Sequence, residues 1–327
     1  MLALWIMVFH INRVTYAIPD IPLLTNFIKI GCAGVDVFLF LSGYCLYLSL
    51  NRNSNVGDFF RKRFKRVVIV YLVIAIPFFF YKMAFETRTN VVMHFFFDIS
   101  GLSFWLRNCQ NAWFVHAIIA FYILTIPFYH IIKKGVGYGI ALILLIYMLN
   151  YLGKCHISLY NEAAIAYTRL PAYVFGMVLA DVYRRYQIQE RYGGKRYFGV
   201  GMLVFLIACL IFFLAFDARS AILDRFDTTA LWLSFIAIIL PVLSFCLVII
   251  KFASKVKWLS TLLSTVGGVS LEFYLIHVMI LHIIRYFGLQ TYIGYWSFMI
   301  IPLVTFPLSL AANKCSVMIA LKMKTKE

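Results

Sequence analysis

Apolar residues along this chain gather into long unbroken runs separated by short polar stretches. Ten runs can be marked, at about 1–18, 31–50, 66–85, 110–132, 136–152, 169–186, 197–216, 229–250, 267–287 and 294–319. Nearly all have the roughly 17–25 residues that carry a helix across the hydrocarbon layer. A segment in lipid has to satisfy its own backbone hydrogen bonds, and these runs are too long and continuous for barrel strands. The expected fold is therefore all-α: one polytopic bundle of about ten spanning helices over residues 1–327. No internal repeat or low-complexity linker divides it.

The first run is a marginal case. Met1 to Phe9 is apolar but has neither the basic start nor the small-residue cleavage site of a signal peptide. It reads as a first spanning helix of barely sufficient length, so the chain is expected to begin partway into that helix.

Composition agrees with a lipid setting. Apolar residues make up 63% and charged residues 13%, whereas a soluble domain carries about 25% charged residues. The formal net charge of +17 is concentrated in short loops. One set of loops carries Arg52 and the run Arg61 to Arg66; then Lys133 and Lys134; then Arg184, Arg185, Arg191, Lys195 and Arg196; then Lys251, Lys255 and Lys257. The tail adds Lys314, Lys322, Lys324 and Lys326. The intervening loops hold Asp20, Glu86, Glu162, Asp217, Asp224 and Asp227 instead. Basic loops stay in the cytoplasm, which predicts cytoplasmic N- and C-termini and contact with anionic membrane lipid. Nucleic-acid binding is not expected, because a nucleic-acid-reading face needs water-exposed surface. The seven cysteines are scattered, without zinc spacing, and no metal site is predicted.

Ionisable groups inside apolar spans cost several kcal/mol and are functional candidates by default. His10 lies toward the outer end of the first run and Asp36 early in the second. Because those two helices run in opposite directions, the pair is expected at similar depth. A carboxylate beside an imidazole would orient it and raise its basicity, which suits proton abstraction from a hydroxyl. His116 follows Trp113 in the fourth run, Arg169 opens the sixth, and Glu272 and His277 lie in the ninth. With Ser42 in Leu41-Ser42-Gly43-Tyr44, they are candidates for the lining of a polar cavity. Taken singly, any of them could simply bond a neighbouring helix.

The segment Phe59 to Arg66 puts five cations into eight residues at a membrane border. Charge alone fits an anchor for anionic headgroups. A sharper reading is a polyphosphate site built from Arg61, Arg63 and Arg66. Arg63 and Arg66 are three apart and share a helix face, and two guanidinium forks on one face suit phosphate. No phosphate-cradling Gly-rich loop, hydrolase Gly-x-Ser-x-Gly elbow or His-Glu-x-x-His is present.

Several segments, in order along nearly the whole chain, resemble the membrane acyltransferase-3 family, which includes bacterial sugar and polysaccharide O-acetyltransferases. They are Phe9-His10; Gly34 to Phe38 with Leu41 to Tyr44; Phe60 to Arg66 with Tyr71; Trp113-Phe114 with Phe121-Tyr122; Arg169-Leu170-Pro171 with Phe175-Gly176 and Ala180; and Ser270 to His277. The resemblance implies acyl-CoA, usually acetyl-CoA, as a cytoplasmic donor, and a hydroxyl of a cell-surface or lipid-linked glycan as acceptor. It implies His10 as general base. Asp36 would orient His10 or hold the acceptor, and Arg63 and Arg66 would meet the CoA phosphates. The oxyanion stabiliser is left open between His277 and a backbone amide. One departure is that the family's Arg, eleven residues before the catalytic His, would fall before Met1. A transporter or flippase for a lipid-linked glycan is the competing reading, although inverted repeats and paired broken helices are not evident.

Overall fold

The computed structural model describes residues 1–16, 22–86, 90–107, 112–156, 163–186, 239 and 252–324. Among these, helix is the only regular secondary structure. The helices are α1 (Leu2–Thr15), α2 (Pro22–Lys29), α3 (Gly34–Arg52), α4 (Val56–Arg63), α5 (Ile69–Phe85), α6 (Val91–Ser100), α7 (Leu102–Arg107), α8 (Trp113–Lys134), α9 (Val136–His156), α10 (Leu170–Arg185), α11 (Lys257–Gly268), α12 (Ser270–Tyr286) and α13 (Ser297–Lys324).

Five described helical stretches are long and apolar enough to cross a membrane: Gly31–Arg52, Val56–Phe85, Trp113–Lys134, Val136–His156 and Gln290–Met323. A sixth arises if α11 and α12, bent by 78° where Gly267 and Gly268 interrupt the chain, count as one broken span. The described residues thus hold five or six spans rather than ten. The expected runs 197–216 and 229–250 lie outside them, save Ile239.

Local structure departs from the sequence expectation in two places. Residues 91–107 fall outside the ten expected runs but form α6 and α7, an apolar pair too short to span. They turn at Gly101, where φ is +82° and a Cβ would fall 2.5 Å from Cδ2 of His116, so only glycine fits. The basic run also departs: Phe64–Val68 is a π-helical turn joining α4 to α5, which inserts an extra residue per turn beside the cations.

The core is organised by α3 and α10, which touch backbone to backbone. A Cβ on Gly43 would lie 2.0 Å from the Tyr173 carbonyl oxygen, and one on Gly176 would lie 2.0 Å from that of Phe40. Above this contact Arg169 Nε sits 3.3 Å from Asp36 Oδ1. Below it the Tyr47 hydroxyl donates to Asp181 Oδ1 at 2.6 Å. These pairs follow the same order along both helices, so α3 and α10 run parallel.

Other end-to-end contacts set further directions. The Tyr286 hydroxyl donates to the Phe85 carbonyl, and His282 Nε2 lies 2.6 Å from Glu86 Oε1, bringing the C-terminal ends of α5 and α12 together. Arg185 donates to the Lys133 carbonyl, joining the ends of α8 and α10. Asn313 Nδ2 donates to Glu272 Oε1 at 2.8 Å, setting the later part of α13 against the start of α12. All of these directions agree with the alternation read from the basic loops.

Replacing Gly176 by Val would drive a branched side chain into the α3 backbone. Overpacking costs about 1–3 kcal/mol where neighbours can give, and a backbone carbonyl gives less than a side chain. We expect Gly176→Val to lower the detergent-solubilised melting temperature sharply and to broaden the size-exclusion peak. An unchanged melting curve would contradict the seam.

Candidate active site

His10 stands two-thirds of the way along α1 and faces the middle of α12. Its Nδ1 lies 2.9 Å from Nε2 of His277, with ring centroids 5.2 Å apart and planes inclined by 28°. His277 is fully buried, and its Nδ1 lies 2.8 Å from the Phe273 carbonyl one turn earlier. The Tyr274 ring borders both imidazoles, at 6.3 Å from His10 and 5.6 Å from His277.

Asp36 does not meet His10. The α3–α10 crossing instead delivers Arg169, at the N-terminal edge of α10, to the Asp36 carboxylate in the first turn of α3. Both groups are almost wholly buried, and a charge in this setting is tolerable only with its partner. The Arg169 guanidinium also lies over the Trp113 ring, 5.2 Å from its centroid, a cation–π contact. Asp36, Arg169 and Trp113 therefore form a cluster of their own, at the starts of three helices.

A cavity of about 690 Å³ opens between α1, α3, α5, α8, α12 and α13. Its lining includes Arg63, Lys65 and Arg66, so the basic run does present cations to one space. Arg61 is exposed and does not line it. Ser42 and the hydrogen-bonded pair Glu272 and Asn313 supply polar wall. Phe38, Phe114 and Tyr274 supply an aromatic wall, with Phe38–Phe114 and Phe114–Tyr274 centroids 6.5 and 5.4 Å apart. Tyr274 therefore borders both the cationic cavity and the imidazole pair.

His116 lies outside this arrangement. Its Nε2 is 3.1 Å from the Tyr71 hydroxyl, which in turn donates to the carbonyls of Asp98 and Ile99 in α6. Asp98 is held by Lys82 Nζ at 3.0 Å and by the Ser103 hydroxyl. This buried network fastens α6 and α7 to α5 and α8, and His116 takes part in it rather than in the cavity lining.

Three lining residues escaped the sequence reading. Lys65 was passed over for the guanidinium pair. Tyr274 was noted only as part of a longer motif, although it lies three residues before His277 and so on the same helix face. Asn313 is a lone amide in the 28-residue α13, a polar interruption that could have flagged it. Among the described residues, no group of three or more His, Cys, Asp or Glu side chains could hold a metal ion.

Chemically, the arrangement offers cations for an anionic group, an apolar and aromatic passage, and an imidazole pair able to move a proton. A family model described as an acyltransferase domain matches residues 1–313. No curated protein and no solved structure matches the chain.

The Asp36–Arg169 assignment can be checked by its asymmetry. Removing one partner of a buried ion pair costs about 3–5 kcal/mol, whereas replacing both by apolar groups is often neutral. Asp36→Ala should therefore depress the melting temperature strongly, and the double replacement Asp36→Leu with Arg169→Met should recover most of it. Additive losses would argue against the pair.

Proposed function

The chain belongs to the membrane acyltransferase-3 family, and from that premise we propose that it transfers an acetyl group from acetyl-CoA to a hydroxyl of a cell-surface or lipid-linked glycan. The observation that carries this reading is one cavity lined by Arg63, Lys65 and Arg66 and by Tyr274, the ring beside His10.

In this reading the CoA phosphates meet the guanidinium groups of Arg63 and Arg66, with the Lys65 ammonium beside them. The pantetheine arm lies along the apolar wall, and the thioester comes to rest near Tyr274. The acceptor hydroxyl approaches His10. His10 takes its proton as the oxygen attacks the thioester carbonyl; the tetrahedral intermediate then collapses, the C–S bond breaks, and the proton passes to the departing thiolate. Ester and free CoA are the products, with no net change in the enzyme. The cavity's volume falls within the range of about 300–1,000 Å³ usual for small-molecule sites. The basic turn would face the cytoplasm, where the donor is made, and both termini would lie on that side of a bacterial inner membrane.

Two measurements test this. Purified protein given labelled acetyl-CoA and acceptor glycan should transfer label, with His10→Ala reducing turnover about 10²–10⁴-fold, the usual contribution of a general base. The Arg63→Ala and Arg66→Ala double variant should raise the donor KM at least tenfold while the protein still folds. Normal transfer by either variant would remove its assigned role. Separately, a topology reporter fused after Lys133 should read cytoplasmic; a periplasmic signal would reverse the orientation.

A further inference from the structure

We infer that His277 is a positioning residue that fixes His10 in one tautomer, with its proton on Nδ1 and its lone pair on Nε2. This rests on the reading of His10 as base, and it replaces the oxyanion role considered for His277 from sequence.

The argument begins on α12. The Phe273 carbonyl can only accept a hydrogen bond, so the 2.8 Å contact requires the proton of His277 on Nδ1. Helix geometry imposes this bond, because residue 273 is one turn before residue 277. His277 is fully buried, and neither of its hydrogen-bond partners is a carboxylate, so a charged ring there would lack compensation. In the neutral ring, Nε2 then carries a lone pair. The 2.9 Å contact with His10 Nδ1 can form only if His10 donates. The proton of neutral His10 therefore sits on Nδ1, and Nε2 is left as its basic atom. One backbone carbonyl on α12 thus determines, through two imidazoles, which atom of α1 is available for proton transfer.

The arrangement differs from a carboxylate–histidine pair. A carboxylate would both orient the base and stabilise its cationic form. A neutral imidazole acceptor orients but adds no charge. During transfer, His10 Nε2 takes the acceptor's proton and gives it to the thiolate, while the Nδ1–H bond to His277 persists. His277 gains and loses nothing. Its contribution is to prevent the alternative tautomer, in which the lone pair would point at α12 and the outward nitrogen would already be protonated.

The test uses the full chain in detergent or nanodiscs with two variants. His277→Leu removes the acceptor. His277→Gln retains an amide oxygen that can accept from His10 and an N–H that can donate to Phe273. We expect His277→Leu to lower kcat about 10²–10⁴-fold, the scale of a mis-set general base, with the acetyl-CoA KM changed less than twofold. His277→Gln should recover at least tenfold of that loss. In ¹⁵N-histidine-labelled wild-type protein, His10 should show the Nδ1–H tautomer alone, and in His277→Leu the Nε2–H form should appear. Wild-type kcat in His277→Leu, or an Nε2–H His10 in the wild type, would overturn the inference. Should His277→Leu fail to fold, the wild-type ¹⁵N signal and His277→Gln decide it. The underlying reading fails separately: if His10→Ala keeps full activity, His10 is not the base, whatever His277 does.

Discussion

The direct contact between the backbones of α3 and α10 is the constraint on which the rest of the bundle depends. Gly43 and Gly176 remove the two side chains that would hold these helices apart. In lipid there is little hydrophobic force between helices, so close approach and dispersion at small residues do the work. Once the backbones meet, the polar groups on either side have no freedom left. Asp36 must face Arg169, and Tyr47 must face Asp181. Each buried carboxylate has a partner of opposite charge or a donor across or along the seam, and the seam stays in register because misplacing it would strand a charge.

That constraint also decides what the site is made of. With Asp36 committed to Arg169, the imidazole on α1 finds its partner on α12 instead. The two histidines come from residues 10 and 277, so the site closes only when the start and the end of the chain are assembled. The cavity beside them is shared in the same way, by α1, α3, α5, α8, α12 and α13. Its cations come from the end of α4 and the π-helical turn before α5, where Lys65 joins Arg63 and Arg66 at one space.

Much of this was legible in the sequence, for identifiable reasons. Lipid leaves helix as the only solution for long apolar runs, and loop charge orders their directions. The cationic turn stood out because five charges in eight residues are conspicuous at a membrane border. The pairings were harder. Nothing in the spacing of Asp36 says that α10 rather than α1 will supply its partner, since that follows from Gly43 and Gly176, which were noted only within longer segments. Lys82 was hidden inside an apolar run and explained only by Asp98, in a stretch outside the ten marked runs. His116 looked chemical by residue type, and its place beside Tyr71 and Gly101, away from the cavity, was not readable from spacing.

The aromatic wall formed by Phe38, Phe114 and Tyr274 has a consequence for proton movement. A bundle with an imidazole pair on one side and a cationic chamber on the other is close to being a proton wire. The rings meet tilted and edge to face, and an aromatic wall of this kind offers few groups to hold a chain of water. The rings beside the imidazoles therefore limit the water around them, so that in the proposed reaction the proton on His10 has the substrates rather than bulk water as its nearest acceptors.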